Sequence, residues 1–231
     1  MRYEFLLFDL DNTLLDFDAG EKEALHNLFC AHGIPVTEPL LAHYHTVNHA
    51  LWREYEKGTR TIDQVLNTRF SLTMRAFGKE ISGEDWEREY RVYLGEEHAL
   101  IPGAKEVCER LAPTRRMYII TNGIRDTQIR RLQDAGLFSC FQRIFNSESI
   151  GFQKPHLSFF TYVMTHIEGF DQRRALVIGD SQASDIAGGQ GAGLDTCWFN
   201  KYGVSDTASI TADYKIDHLT ELLKIVGSEA L

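Results

Sequence analysis

Short apolar runs alternate with longer segments of helical periodicity over most of the chain. Apolar strands separated by helices indicate a parallel sheet that helices cover on both faces. The predicted fold class is therefore α/β, with a Rossmann-like parallel sheet. The predicted strands are Phe5–Phe8, Met117–Ile120, Arg143–Phe145, Ala175–Ile178, Thr196–Phe199 and Tyr214–Ile216. The helical patterns that accompany them span about 103–112, 126–135, 155–167 and 184–191, with a closing helix from His218 to Ile225.

Residues 16–98 differ from the rest because they contain no convincing strand. Four helical patterns follow one another there: Glu21–His32, Leu40–Lys57, Ile62–Phe77 and Gly83–Glu97. Turn signals such as Gly33-Ile34-Pro35 separate them. A helical block of roughly 80 residues is too long for a single crossover connection. We therefore expect an inserted helical cap at 16–98, acting as a lid, between core segments 1–15 and 99–231.

Composition narrows the class of protein. In a chain of 231 residues, 24 basic and 33 acidic side chains give a net charge of −9. This balance argues against broad binding to nucleic acid polymers or anionic membranes. No apolar run approaches the ~20 residues of a membrane-spanning helix, and the N-terminus lacks a signal-peptide layout, so we expect a cytoplasmic protein. The chain has four scattered cysteines, and in a cytosolic protein such cysteines are mostly small buried side chains.

The first predicted strand ends in a polar run, Asp9-Leu10-Asp11-Asn12-Thr13. If the backbone stays extended, side chains two residues apart point to the same side, so Asp9 and Asp11 would converge on one site. Two close carboxylates repel each other unless a cation or a proton is shared, and this spacing therefore favours a divalent metal. The alternative is local, since Asp, Asn and Thr also cap helices and form turns.

Polar side chains also follow two other predicted strands and precede one predicted helix. Thr121 and Asn122 follow the second strand and offer hydroxyl and amide donors near a helix start, a natural cradle for an anion. Lys154 supplies a positive charge just before a helix that is expected to begin at a proline. Asp180 and Asp185 add carboxylates after the fourth strand. Because parallel sheets bind ligands at the carboxyl ends of their strands, we expect these groups at one site.

This set of residues suits phosphoryl transfer. A carboxylate nucleophile forms an aspartyl-phosphate and splits one difficult displacement into two easier ones. A second carboxyl protonates the leaving alkoxide and then activates water, while Mg²⁺ and a lysine neutralise developing charge. Taken singly, Thr121-Asn122-Gly123 is typical of a turn, Lys154 of a solvated surface and Asp185 of a helix first turn. Their conjunction in this order on one predicted sheet favours the active-site interpretation.

These residues make the chain resemble the haloacid-dehalogenase superfamily of phosphohydrolases over nearly its whole length. All four motifs of that superfamily are found, in the order in which the polar groups were described above. By this resemblance Asp9 is the nucleophile and Asp11 the general acid and base. Dehalogenases of the superfamily lack an acid at the position of Asp11, so the resemblance implies cleavage of a C–O–P bond rather than a carbon–halogen bond.

The resemblance also implies ligands and a cap. The groups implied to hold the phosphoryl group are Thr121, Asn122 and Lys154. The implied Mg²⁺ ligands are Asp9, Asp180 and the backbone carbonyl of Asp11. Thr13 and Asp185 are implied to contact these ligands rather than the metal or the substrate. Asp185 would steady Lys154 or a metal-bound water. The helical insertion corresponds to the C1-type cap of the superfamily.

A narrower resemblance links the chain to the bacterial housekeeping pyrimidine 5′-nucleotidases. The segments that carry it are Leu14–Phe17, Val47–Gly58 and Ala192–Trp198. It implies dephosphorylation of nucleoside monophosphates, including noncanonical ones, with a preference for pyrimidines. Aromatic side chains that would form a wall for a base are Phe17, Trp52 and Tyr55. The alternative is that aromatic residues at this helical spacing are simply the core of the cap.

Other functions fit the sequence less well. The nearest rival is a sugar-phosphate or acylneuraminate-phosphate phosphatase with the same core and a different cap pocket. A phosphorylation-switched receiver domain would be about half as long, without an inserted cap. A binding protein that lost its chemistry is disfavoured because every chemical position is filled. Arg130-Arg131 is too sparse for a nucleic-acid footprint. The expected partner is a small phosphate monoester, and the expected assembly is a monomer or a weak homodimer.

Overall fold

The computed structural model describes residues 2–203 and 210–227. Its six-stranded sheet is parallel throughout, with strand order β3-β2-β1-β4-β5-β6. The strands are β1 Phe5–Phe8, β2 Arg116–Thr121, β3 Arg143–Asn146, β4 Ala175–Gly179, β5 Asp195–Phe199 and β6 Tyr214–Ile216. The predicted α/β fold class is confirmed, and each predicted strand is present to within two residues at either end.

The α-helices of the described residues fall between and around these strands. In chain order they are α1 Phe17–Ala31, α2 Glu38–Glu56, α3 Ile62–Ala76, α4 Gly83–Glu96, α5 Ala104–Leu111, α6 Arg125–Asp134, α7 Ser147–Ile150, α8 Leu157–Thr165, α9 Ala187–Gly191 and α10 Leu222–Val226. Among the described residues, no helix combines the length and the apolar character needed to cross a membrane.

Both faces of the sheet are buried, which explains why its strands are apolar at successive positions. Leu6 and Phe8 of β1 belong to one apolar cluster, together with side chains of α5 and α10. Phe5 and Leu7 belong to a second cluster on the opposite face, together with side chains of α8. A strand buried on both faces leaves polar residues only at its ends, and this confines the chemistry of the core to the loops there.

The chain divides into two compact units, Met1–Phe17 with His98–Leu231, and Asp18–Glu97. The second unit is helical throughout and contains most of α1 and all of α2, α3 and α4. Its core includes a buried ion pair in which Arg69 of α3 contacts Glu87 of α4 at 2.7 Å. Glu21 of α1 accepts hydrogen bonds from Tyr44 and Asn48 of α2, both at 3.3 Å, and so joins these two helices.

Five helix predictions differ from the structure in their boundaries by two residues or more. Helix α1 begins at Phe17 rather than at Glu21, and α2 begins at Glu38 rather than at Leu40. The helix expected at 155–167 begins at Leu157, because His156 caps it by accepting a hydrogen bond from the Ser158 N–H. The stretch 184–191 is not one regular helix but a π-helical turn, Gln182–Ile186, followed by α9. The closing helix begins as a 3₁₀ turn at Leu219–Glu221 and continues as α10. The predicted core segments also include residues 1, 204–209 and 228–231, which lie outside the described residues.

Candidate active site

The loop after β1 places the first carboxylate between the two neighbouring strands. Phe8 pairs with Ile119 of β2 and with Ile178 of β4, and the Asp9 N–H donates to the Ile178 carbonyl at 2.8 Å. The chain then turns tightly, because the Leu10 carbonyl accepts the N–H of Thr13 as well as those of the two following residues. This turn brings the Thr13 hydroxyl to 3.1 Å from Asp9 Oδ2, as a donor inside the core.

Three carboxylates meet at the carboxyl ends of β1 and β4. Oxygen atoms of Asp9, Asp180 and Asp185 all lie within 4.8 Å of one another; Asp9 and Asp185 are buried and Asp180 is partly exposed. Burial raises the pKa of Asp9 to about 7, with Lys154 opposing the shift and the two nearby acids Asp185 and Asp11 adding to it. Burial, then Asp9 and Asp185, likewise raise the pKa of Asp180 well above its usual range. The group therefore holds more negative charge than its surroundings stabilise.

Lys154 supplies the positive charge within this group. Its side chain is 2% exposed, and Nζ donates to Asp9 Oδ1 at 2.7 Å, to Asp185 Oδ1 at 2.6 Å and to the Ile120 carbonyl at 2.9 Å. All three ammonium hydrogens are used in this way. Burial opposes the charge, yet Asp185 and Asp9 hold the pKa of Lys154 above its ordinary value. With all three carboxylates ionised, one ammonium would leave two negative charges unbalanced, and an all-oxygen site with that excess suits a hard divalent cation such as Mg²⁺.

The Asn122 side chain lies against the Lys154 backbone. Its Oδ1 accepts the Lys154 N–H at 2.9 Å, and its Nδ2 donates to the Lys154 carbonyl at 3.0 Å. Both of its polar atoms thus contact the residue that carries the ammonium. Because an amide nitrogen has two hydrogens, the expected contact of Asn122 with a phosphoryl group stays a prediction. Within the described contacts, Asn122 therefore acts on the position of Lys154.

The segment after β4 is shaped around Asp185. The Ser181 N–H donates to Asp185 Oδ2 at 3.1 Å, while the other carboxylate oxygen receives Lys154. Gly179 leaves room for this arrangement, since a Cβ there would lie 2.2 Å from Asp185 Oδ2. The backbone of Asp180 is fixed from β5, where the Trp198 indole donates to its carbonyl at 2.8 Å.

The Asp11 carboxylate faces helix α6 and is not a member of the group of three. Strand β1 ends at Phe8, and Asn12 adopts a left-handed φ of 61°, so the chain turns directly after Asp11. Asp11 Oδ1 receives Arg131 Nη1 at 2.5 Å, and Oδ2 receives Gln128 Nε2 at 2.6 Å. The sequence patterns did not identify Gln128 or Arg131. The available signal was their spacing with Leu132, which places all three on the buried face of α6.

Thr121, the last residue of β2, presents a hydroxyl whose orientation is defined. Its Oγ1 accepts the Gly123 N–H at 3.0 Å and Gln128 Nε2 at 3.1 Å. A hydroxyl has two acceptor lone pairs and one hydrogen, so two accepted bonds leave the hydrogen as its remaining function. Thr121 is therefore set up to donate to an anion.

The three aromatic residues predicted to meet a base have different surroundings. The Phe17 ring lies against the guanidinium of Arg131, with 5.7 Å between Arg131 Cζ and the ring centroid. Trp52 and Tyr55 of α2 pack edge to face at 5.7 Å within an apolar cluster of the helical unit. Tyr55 is almost fully buried there. Packing in the helical unit, the alternative weighed from the sequence, accounts for the described contacts of both.

Comparison with known proteins gives one family and several full-length relatives. The profile of the haloacid dehalogenase-like hydrolases matches residues 3–193. The HAD-hydrolase YfnB of Bacillus subtilis is 46% identical over 228 residues, which cover 99% of this chain and 97% of YfnB. The pyrimidine 5′-nucleotidase PynA of Streptococcus pneumoniae is 35% identical over 100% of this chain and 98% of PynA. The pyrimidine 5′-nucleotidase YjjG of Escherichia coli is 29% identical over 98% of this chain and 99% of YjjG.

The fold comparison agrees with the sequence comparison. A crystal structure of YfnB bound to magnesium matches this structure with a TM-score of 0.93 at 46% identity. The match covers 98% of this chain and 100% of the YfnB chain. The similarity therefore extends over the core and the helical unit alike.

Proposed function

Because this chain belongs to the haloacid dehalogenase-like hydrolase family, we propose that it hydrolyses phosphate monoesters through an aspartyl-phosphate on Asp9. The observation that carries the proposal is the environment of Asp9. Its carboxylate is buried, receives Lys154 Nζ at 2.7 Å and shares its surroundings with two further carboxylates. A surface acid that caps a helix would have none of these features.

The fit to Mg²⁺ rests on the donors that surround Asp9. Asp9 and Asp180 would hold the ion, with Asp185 beside them. When bound, Mg²⁺ would neutralise the excess negative charge and so allow an anionic carboxylate and a phosphate dianion to approach each other. Lys154 would contribute to the same neutralisation, and the Thr121 hydroxyl would donate to a phosphoryl oxygen.

The chemistry then divides between two aspartates. A carboxylate oxygen of Asp9 attacks phosphorus, and the bond from phosphorus to the ester oxygen breaks. The electron pair stays on that oxygen, which takes a proton from the Asp11 carboxyl and leaves as an alcohol. In the second step Asp11 takes a proton from water, whose oxygen attacks the same phosphorus. The bond from phosphorus to Asp9 breaks, which releases phosphate and restores both side chains.

We further propose that the substrates are nucleoside 5′-monophosphates, with a preference for pyrimidines. Two relatives, PynA and YjjG, are pyrimidine 5′-nucleotidases, and the chain aligns with each of them over nearly its entire length. This similarity supports the proposed specificity. Core residues that carry out phosphoryl transfer do not select a base, so the specificity must come from other parts of the chain.

Phosphate release from a panel of monoesters tests the proposal. The panel contains UMP, dUMP, dTMP, purine nucleoside monophosphates and sugar phosphates, each with Mg²⁺ and with EDTA. We expect Mg²⁺-dependent release that is fastest with a pyrimidine nucleotide. An Asp9→Asn protein, purified in parallel, reports contaminating phosphatase. Release from sugar phosphates alone would refute the proposed substrates, and undiminished release in EDTA would refute the metal requirement.

A further inference from the structure

We propose that Gln128 and Arg131 of α6 are positioning residues for the proton transfers of Asp11. Together they hold the Asp11 carboxylate and the Thr121 hydroxyl in one hydrogen-bond network. This inference rests on the proposed function, since it takes Asp11 as the general acid and base. It adds an explanation of how the Asp11 carboxylate, at the edge of the site, keeps one orientation through both proton transfers.

Arg131 holds this hydrogen-bond network from inside the core. Its side chain is 1% exposed, whereas that of Asp11 is 27% exposed, so the contact joins an interior cation to an acid that reaches solvent. Arg131 Nη1 lies 2.5 Å from Asp11 Oδ1 and 3.0 Å from Gln128 Oε1. The Phe17 ring covers the guanidinium. A planar guanidinium enclosed in this way holds its partners at fixed directions, which a flexible ammonium does not.

Gln128 connects the acid to the phosphoryl-binding hydroxyl. The residue is 2% exposed, and its Nε2 donates to Asp11 Oδ2 at 2.6 Å and to Thr121 Oγ1 at 3.1 Å. Its Oε1 accepts from Arg131. A flipped amide would place Oε1 against the Asp11 carboxylate and Nε2 against the guanidinium, so only one orientation satisfies all three neighbours.

The hydrogen-bond network connects phosphoryl binding with proton donation, which the proposed reaction needs at the same moment. In the proposed reaction, Thr121 would donate to a phosphoryl oxygen while Asp11 protonates the leaving oxygen on the same phosphorus. One amide that binds both side chains fixes the Asp11 carboxylate relative to the Thr121 hydroxyl. The loop accommodates the amide at Gly123, where a Cβ would lie 2.3 Å from Gln128 Nε2. Gly123 shows no left-handed φ, so the need for glycine there is one of space.

A purely structural role makes a different kinetic prediction. If Gln128 and Arg131 only pack α6 against the loop after β1, their loss would lower stability and slow all substrates alike. If they position Asp11, their loss would slow substrates according to how much their leaving group needs a proton. The value of kcat/KM reports the steps up to cleavage of the ester, so it isolates the first proton transfer from the second.

The experiment compares Gln128→Met with wild type on two substrates. UMP, or the best nucleotide of the panel, leaves as an alkoxide that needs the proton, while p-nitrophenyl phosphate leaves as a stable phenolate. General acid catalysis is typically worth about 10²–10⁴-fold, so we expect the ratio of kcat/KM for UMP to that for p-nitrophenyl phosphate to fall about ten- to hundredfold. Disorientation of Thr121 would lower both values equally and leave the ratio unchanged.

Matched variants identify the cause. Gln133→Met changes the same residue type at an exposed position of α6 and should keep the wild-type ratio. Asp11→Asn should show the same selective loss to a larger extent. A selective loss in Asp11→Asn but not in Gln128→Met would overturn the positioning role and leave the proposed function intact. An unchanged ratio in Asp11→Asn would instead remove the acid role from the proposed function.

Arg131 is tested by graded replacement. Arg131→Met should reduce the ratio, and Arg131→Lys should recover part of it by restoring a charge near Asp11 without the guanidinium geometry. Equal losses for both substrates in Arg131→Met would assign Arg131 to packing and overturn its part of the inference. Should Gln128→Met fail to fold, Gln128→Glu keeps the side-chain shape but places a carboxylate beside Asp11. The same selective loss is expected, and a wild-type ratio would contradict the inference.

Discussion

At the scale of single residues, the chemistry depends on the charge balance around Asp9. Oxygens of three carboxylates lie within 4.8 Å of one another, and Lys154 forms ion pairs with two of them. The second ammonium contact, to Asp185, leaves Asp9 only part of that positive charge. Burial is the largest cause of the raised pKa of Asp9, about 7, and Lys154 only partly opposes it. Ionised Asp9 is therefore costly in the metal-free protein.

Asp9→Asn is expected to abolish turnover and to stabilise the metal-free protein at neutral pH. Between its ordinary pKa of 3.8 and about 7, folded Asp9 keeps a proton that the unfolded chain has lost. The free energy of unfolding due to this group therefore falls as the pH rises through that range. The stability gain of Asp9→Asn over wild type should grow from about pH 4 to about pH 7. Urea unfolding in EDTA at both pH values measures this gain, and an equal gain at both would contradict the account.

Sequence reasoning located part of the site residue by residue. Asp9, Lys154, Asp180 and Asp185 could be assigned to one place because the carboxyl ends of parallel strands meet at one edge. The contacts of Arg131 could not be found in this way, since its partner Asp11 is 120 positions away in the chain. A short-range pattern marks Arg131 as lying on a helix face but does not reveal a distant acid. The contact of the Asn122 side chain with the Lys154 backbone could not be found from the sequence for the same reason, since the two residues are 32 positions apart.

At the scale of elements, the end of β4 and the turn after it pack closely against each other. Gly179 ends the strand, and the π-helical turn Gln182–Ile186 brings Asp185 back over it. The close approach is possible only without a side chain at 179. The short helix α9 then packs tightly, since a Cβ at Gly188 would meet the Phe160 ring at 2.4 Å.

Gly179→Ala should therefore disturb the site through Asp185. The new methyl would lie 2.2 Å from Asp185 Oδ2, and this buried carboxylate is held by Lys154 and Ser181. We expect a loss of about 1–3 kcal/mol of stability from overpacking, together with a fall in kcat. Urea unfolding and steady-state kinetics measure the two effects.

Gly191→Ala is the matched control for that variant. Gly191 lies in α9 with nothing within 4 Å of its added Cβ and no left-handed φ. Alanine there should raise stability by about 0.5–1 kcal/mol and leave kcat unchanged. If both variants behaved alike, the fit between Gly179 and Asp185 would not be the cause of the effect.

The element boundaries show what a pattern can and cannot predict. Strand positions followed from continuous apolar runs, because burial on both faces imposes that composition directly. The π-helical turn did not follow from periodicity, since its shape depends on Asp185 reaching the Ser181 N–H and Lys154. Close packing of α9 against β5 is likewise invisible to periodicity, since a Cβ at Gly189 would meet Thr196 of β5 at 2.8 Å.

At the scale of the whole molecule, the parallel sheet and the helical unit follow from the distribution of apolar residues along the chain. Parallel pairing could be predicted, because helices that separate apolar strands require crossover connections. The strand order could not, since apolar runs do not show which strands are neighbours. The substrate could not be derived in the same way. Base recognition depends on individual side-chain contacts, and the described partners of Trp52 and Tyr55 belong to the packing of their own unit.

Mg²⁺ is expected to stabilise the whole fold by mass action, because it would bind the folded site and not the unfolded chain. At a free concentration about 100 times its dissociation constant, the gain is about 2.7 kcal/mol. Thermal unfolding with Mg²⁺ and with EDTA should show a higher Tm in Mg²⁺ for wild type and little difference for Asp180→Asn. Asp126→Asn, at a side chain that is 91% exposed, should behave like wild type. A Tm gain that persists in Asp180→Asn would place the ion elsewhere.

The central claim is that the phosphoryl group is transferred to Asp9, and trapping that intermediate tests it most directly. Asp11→Asn should still react with p-nitrophenyl phosphate, whose leaving group needs no proton, but should hydrolyse the acyl phosphate slowly. Acid quenching of this variant during turnover, followed by peptide mass spectrometry, should find one phosphoryl group on Asp9. Asp9→Asn treated identically should carry none. A phosphoryl group on another residue, or turnover in Asp9→Asn equal to wild type, would contradict the account.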